Sequence, residues 1–225
     1  MLKKLRVLIV GLAVCVLAGC GGSSSIDGAL YTNYIQAVMD CSYHGDFSNY
    51  IKVVNDATAD DAQQVYDDTV DYYAYQLMYY NGVNDEEISE DLYNQYVSLA
   101  KEVMSKTKYT VNNANEVEGE YQVKIDITPI DFNDITNDEI DKYYDEFIEM
   151  LSDLDTDSFT DEQWSSYEEA YGNGVLEILQ KYVSKIGYKD PVSKIVIISY
   201  DEDGLFGISD QDWYDIDDYV VDMKN

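Results

Sequence analysis

Tyr121-Gln122-Val123-Lys124-Ile125-Asp126-Ile127-Thr128 alternates apolar and polar residues over eight positions. A period of two puts Tyr121, Val123, Ile125 and Ile127 on one face and Gln122, Lys124, Asp126 and Thr128 on the other, the pattern of a half-buried strand. Pro129 closes it, since proline cannot donate to a strand ladder. Gly119 supplies the turn back to a shorter strand, Tyr109 to Asn112.

On either side the period is helical. Upstream, Leu30, Tyr34, Ala37 and Val38 share one face of a helix from Ala29 to Met39. Gly45 breaks that pattern, and Phe47 to Val54 makes a short second helix. Thr58 with Asp61 opens a third, because a hydroxyl and an acid in the first turn satisfy free amides and the dipole. Its face is Ala62, Val65, Tyr66, Val70, Tyr73, Leu77 and Tyr80, and Asn81-Gly82 ends it. Asn84 with Glu87 is expected to cap a fourth, burying Leu92, Tyr96, Leu99 and Val103.

Downstream, Thr136-x-x-Glu139 reads as a capping box opening a helix to about Leu151. Thr160-x-x-Gln163 is another, opening a helix to about Val183 with Trp164, Tyr167, Tyr171, Val175, Ile178, Leu179 and Tyr182 on its face. Gly172 and Gly174 weaken that helix and let another backbone approach. Lys194 to Tyr200 is β-branched enough for a central strand. Asp203-Gly204 signals a hairpin, Leu205 to Ile208 returns, and Ser209 with Asp212 caps a last helix carrying Trp213, Ile216 and Val220. The expected fold is α+β: one domain over residues 27–225, with a small antiparallel sheet of about four strands covered by helices. Each half is helices followed by a hairpin, a weak sign of a two-part repeat (27–130 and 131–225).

The chain starts differently. Lys3, Lys4 and Arg6 precede an uncharged apolar run from Val7 to Gly19, which ends in Leu17-Ala18-Gly19-Cys20. Thirteen residues fall short of the roughly 20 that span a bilayer but suit a signal segment. The four-residue end is a lipobox, and the start of the chain resembles a bacterial lipoprotein precursor. The resemblance implies cleavage after residue 19, a diacylglyceryl thioether on Cys20, and a flexible tether over residues 20–26. The expected location is the extracytoplasmic face of the cell membrane. Gly21 rather than aspartate follows the cysteine, so no inner-membrane retention signal is evident.

Composition narrows the function. The 225 residues hold 45 Asp and Glu against 14 Lys and Arg, a net charge of −31, and loss of Lys3, Lys4 and Arg6 takes it to −34. Arg6 is the sole arginine. Nucleic acid is therefore not an expected partner, and bidentate arginine clamps are ruled out after cleavage. Cys15 leaves with the signal and Cys20 carries lipid, so Cys41 has no disulfide partner in the same mature chain. Tyrosine is unusually common, at 23 against 5 Phe and 2 Trp. Its apolar body and polar rim suit amphipathic cores, and equally sugar- or peptide-binding surfaces.

Three further runs carry a second resemblance: Tyr34-Ile35-Gln36-Ala37-Val38-Met39-Asp40, Tyr43-His44-Gly45-Asp46-Phe47-Ser48-Asn49-Tyr50 and Thr58-Ala59-Asp60-Asp61-Ala62. With Gly204-Leu205-Phe206-Gly207-Ile208-Ser209-Asp210 they are similar to a group of uncharacterised Gram-positive lipoproteins with a domain of unknown function. In those proteins an x-Tyr-x-Gly-Asp-Phe turn joins the first two helices. The likeness covers most of the chain after Cys20. It implies a fold and a location, and no catalytic residue.

Little else points to chemistry. His44 is the only histidine, so any Ser-His-Asp or Cys-His site would need it; a structural role before Gly45 is the expectation. Ser199-x-Asp201-x-Asp203-Gly204 matches part of a calcium loop but follows a strand, where a helix is required. Asp153-x-Asp155-x-Asp157 alternates acids without the central glycine. Calcium on Asp153, Asp155 and Asp157, or on Asp201 and Asp203, is thus a minor expectation beside no cofactor. The leading function is a non-catalytic binding module for an envelope glycan or protein, with contacts from Tyr72, Tyr79, Tyr80, Trp213 and Tyr214. An envelope hydrolase using acidic residues and a structural or assembly lipoprotein are the other classes in view.

Overall fold

The period-two stretch becomes the middle of a sheet. The structure is a computed structural model that describes residues 28–200 and 205–222, with the backbone alone at 12–13. Its helices are α1 (Ala29–His44), α2 (Phe47–Val53), α3 (Ala59–Tyr79), α4 (Glu90–Met104), α5 (Asn133–Ser152), α6 (Asp161–Val183) and α7 (Asp210–Val220). With small sheets between them, the fold is α+β, as the alternation of periods predicts. Contacts group the residues into two compact units. One comprises the described residues up to Thr69, Thr107–Pro129 and Asp190–Val220; the other comprises Val70–Lys106, Ile130–Lys189 and the described residues from Val221.

The first unit holds a four-stranded antiparallel sheet: β1 (Lys108–Val111), β2 (Asn115–Val117), β3 (Glu120–Thr128) and β6 (Val192–Ile197). β3 is central. β1 pairs with its far end and β2 with its near end, while β6 runs along the opposite side with Val123 facing Val196 and Lys124 facing Ile195. Val123, Ile125 and Ile127 are fully buried, so the alternation read from sequence is the core face. α1 covers that face. Tyr31 sets its ring 4.5 Å from Tyr121 and 4.9 Å from Phe206, and Tyr34 lies 5.2 Å from Phe206. β7 (Ser199–Tyr200) pairs with β8 (Leu205–Gly207), the hairpin expected around Asp203-Gly204.

Four local readings need correction. Lys194 to Tyr200 is not a central strand, because among the described residues β6 pairs with β3 alone; Ile195 and Ile197 project from an edge and are exposed. Ser89, not Asn84, caps α4, accepting from the Leu92 amide at 3.1 Å, while the Asn84 side chain closes a local turn on the Glu86 amide. Thr136 is inside α5 rather than at its start, and its hydroxyl bonds back to the Phe132 carbonyl at 3.2 Å. α1 runs on to His44 with Tyr31 at the centre of its buried face and Leu30 at the margin, until Gly45 ends it at φ 66°.

The second unit is built on α4, α5, α6 and the C-terminal half of α3. It carries a small sheet in which β4 (Ile130–Asp131) pairs with β5 (Gly187–Tyr188) and, in parallel, with β9 (Val221–Asp222). Thr160 and Gln163 form the expected capping box on α6. The α6 glycines do admit close neighbours, but side chains rather than backbone. A Cβ at Gly172 would lie 3.1 Å from Leu92 and 3.2 Å from Val83, and one at Gly174 would lie 2.2 Å from the Tyr143 ring. Tyr143 cannot easily yield, since it stacks on Tyr171 at 5.6 Å and donates to the Ala170 carbonyl at 3.2 Å. Gly174→Ala should therefore cost about 1–3 kcal/mol by overpacking, despite alanine's better helix propensity. In a Tyr143→Ala background the same substitution should be neutral or stabilising. Urea unfolding of the four proteins of this cycle measures both.

Candidate functional site

The C-terminal half of α3 buries Val70, Tyr73, Ala74, Leu77 and Met78, a stripe at helical spacing. That stripe leaves Tyr72, Tyr75, Tyr79 and Tyr80 on its flanks. Tyr79 is 60% exposed. Tyr75, one turn earlier, stacks on it with ring centroids 5.7 Å apart and planes 24° apart, and Tyr80 meets it edge-on at 5.4 Å. Tyr72 packs at the edge of Tyr73 at 5.2 Å. The rings adjoin carboxylates. Burial, then the charge of Asp85, then Tyr79 push the Tyr75 phenol above its ordinary value. Burial, the charges of Asp71 and Asp85, and a hydrogen bond to Asp71 do the same for Tyr93 of α4. The result is a surface of stacked phenol rings with acceptor oxygens beside them. Such a surface suits ligands with an apolar face and hydroxyl or ammonium edges.

Of the residues expected to bind a ligand, Tyr79 and Tyr80 come together and Tyr72 lies on the same helix. Sequence reasoning missed Tyr75. The signal was available in its i, i+4 spacing from Tyr79, which places two rings one above the other. Trp213 and Tyr214 sit half-buried on α7, in the first unit.

Asp153 ends α5, Asp155 precedes a single 3-10 turn and Asp157 lies within it; all three are exposed. Among the described residues no three His, Cys, Asp or Glu side chains are grouped so as to hold a metal ion. Asp201 and Asp203 lie outside the described residues. In the second unit, an open groove of about 330 Å³ between α5 and α6 is lined by Glu139, Lys142, Glu146, Glu177 and Lys181 beside Tyr143. Glu139 is already engaged by Lys181 at 2.8 Å and by the Tyr182 hydroxyl at 2.7 Å.

His44 closes α1. Its Nε2 is 2.9 Å from the Thr107 hydroxyl, its Nδ1 is 3.3 Å from the Tyr109 hydroxyl, and its ring stacks on Tyr109 at 5.3 Å. Tyr109 in turn donates to Asp40 at 2.7 Å. Both imidazole nitrogens are thus tied to hydroxyls that pin strand β1 and its approach to α1. Cys41 is buried, donates to the Ala62 carbonyl at 3.4 Å, and has its thiol pushed up to about 12 by burial. A thiol so held has almost no thiolate at neutral pH.

No family model matches the chain, and no curated protein does. In three dimensions it is similar to the crystal structure of ycdA, a candidate lipoprotein of Bacillus subtilis, with a TM-score of 0.55 and 15% identity over 87% of this chain. At that identity the likeness is one of fold. The chain spans 56% of the length of ycdA.

One acid of α7 makes a testable mark on stability. Asp217 of α7 accepts from the Tyr43 hydroxyl at 2.5 Å, and burial raises its carboxyl to about 7 against the ordinary 3.8. A carboxyl raised in the folded state favours folding while protonated, and that contribution fades as pH climbs from about 4 through about 7. Asp217→Asn keeps an acceptor for Tyr43 without the charge. Its melting temperature should exceed that of the parent at pH 8 and match it near pH 4. Equal melting temperatures at both pH values would show that the carboxyl titrates normally.

Proposed function

We propose that this chain is an extracytoplasmic protein held at the cell membrane by lipid on Cys20, and that its folded part binds a ligand without transforming it. The observation that carries the location is Leu17-Ala18-Gly19-Cys20 at the end of a short basic-then-apolar segment. The name of ycdA, whose fold is similar, agrees with it. Among the described residues no helix is long and apolar enough to cross a membrane.

The Tyr75–Tyr79–Tyr80 surface is the binding patch. Its rings offer flat apolar faces, and Asp71 and Asp85 offer acceptors, a combination suited to a saccharide of the envelope or to a protein segment bearing amines. The non-catalytic reading is supported by the state of Cys41 and His44, one a buried thiol and the other an imidazole engaged at both nitrogens.

Two measurements test this function. Cys20→Ser should abolish lipid labelling and move the protein from the membrane fraction to the medium. Tyr75→Ala with Tyr79→Ala should weaken binding to purified wall fragments about tenfold, or ~1.4 kcal/mol. Because Tyr79 projects into solvent, its removal should shift stability by no more than about 0.5 kcal/mol. Binding that survives loss of both rings would move the patch elsewhere, and turnover of the fragments would replace binding with catalysis.

A further inference from the structure

Among the described residues, one face of the four-stranded sheet carries no helix of its own unit. Residues that alternate away from the buried Val123, Ile125 and Ile127 include Lys108 and Thr110 on β1, Val117 on β2, Glu120, Gln122, Lys124 and Asp126 on β3, and Ser193, Ile195 and Ile197 on β6. Ile195, Ile197 and Val117 are 60%, 43% and 42% exposed. The face is also unusual in charge. Two lysines balance two acids, in a chain with 45 acids and 14 basic residues. One of those acids, Asp126, is neutralised at 2.7 Å by Lys124, and its carboxyl is held at about 2 by that lysine, Ser193 and Asn112.

The start of the folded part lies at an edge of this sheet. Gly28 packs against Ala114 so closely that a Cβ would sit 2.9 Å from the Ala114 carbonyl oxygen. The Ala114 amide is bonded to Thr32 at 2.8 Å. Asn115 follows at once, and Asn115, Gln122 and Ile197 form one row across the sheet. Two strand spacings, roughly 10 Å, separate Asn115, next to the contact with Gly28, from Ile197. From Cys20 to Asp27 there are eight residues, which reach at most roughly 28 Å when extended.

We propose that this sheet face rests on the lipid bilayer that holds the anchor. The inference depends on lipid at Cys20. A short tether rooted at the sheet edge keeps this face within reach of the headgroups. Anionic lipid repels the acidic surfaces of the chain, whereas the charge-balanced face meets no such penalty. Ile195, Ile197 and Val117 then enter the interface between headgroups and acyl chains, where apolar side chains are favoured. A second copy fits less well, because two strongly acidic chains would be brought together.

The test uses the full lipidated protein in vesicles of phosphatidylethanolamine with a minor fraction of phosphatidylglycerol. Ile195→Cys and Val117→Cys place thiols on the face. Asn49→Cys, on α2, which packs on α1 and so on the covered side of the sheet, is the control. Cys41 is buried and contributes no background. Alkylation by a charged maleimide should be several-fold slower at residues 195 and 117 on vesicles than after proteolytic release within Gly21–Ser25, and unchanged at residue 49. Equal rates before and after release, in protein whose mass shows diacylglyceryl on Cys20, would overturn the docking and leave the anchor intact. Protection that persists after release would mean a protein partner or a second copy, and would overturn it too. Absence of the lipid from Cys20 would remove the anchor and the docking together.

Discussion

The burial of Val123, Ile125 and Ile127 is the constraint on which the first unit turns. Three β-branched side chains, spaced by two and each excluded from water, oblige β3 to present one face inward. A slip of one residue would bury Lys124 and Asp126 instead. The register of both flanking ladders follows from that choice. So does the position of α1, whose Tyr31 and Tyr34 close over the inner face together with Phe206. Full burial of a Val or Ile side chain contributes about 1.5–3 kcal/mol, so three adjacent ones outweigh any single capping or surface interaction nearby.

Where one strong local signal acted alone, the sequence was readable. The strand at Tyr121 to Thr128, the ends of α6, the Gly45 stop and the Thr58 start all rest on rules that operate within one turn or one strand, and they appear in the structure at the expected residues. The errors have a common source, which is competition between local signals settled by packing. Asn84 and Ser89 both satisfy the rule for a helix start, and Ser89 won, with Leu92 buried one turn beyond it. Thr136 sits in a sequence that mimics a capping box, yet burial of the whole side chain put it inside α5. A β-branched run is equally consistent with a central strand and with an edge whose alternate residues face outward. Only pairing distinguishes them, and pairing is not local.

The candidate site was legible in part for the same reason. Tyrosine abundance and the α3 periodicity pointed to Tyr72, Tyr79 and Tyr80. Tyr75 escaped because it lies just off the buried stripe, where an apolar-face reading assigns it to neither core nor surface. Its contribution depends on a neighbour one turn away and on Asp85 beyond the end of the helix. The reading of Leu17-Ala18-Gly19-Cys20 as a lipobox is of another kind. The motif is linear, so it needs no fold to be read, and its meaning is chemical rather than conformational.

The glycines of α6 acquire a different meaning beside the phenols around them. Helix propensity is lowest at Gly172 and Gly174, yet the Tyr96 hydroxyl donates to the Gly172 carbonyl at 2.7 Å and Tyr143 donates to that of Ala170. Tyr171, from the same turn, reaches out to the Asn81 carbonyl at 3.0 Å. The Tyr96 and Tyr143 hydroxyls act as splints applied from outside to a helix that its own residues would let fray. Amide protons in this turn should accordingly be among the slowest of α6 to exchange with solvent. Much of the tyrosine in this chain is thus internal bracing, and the rings free to meet a ligand are a minority of those the composition advertises.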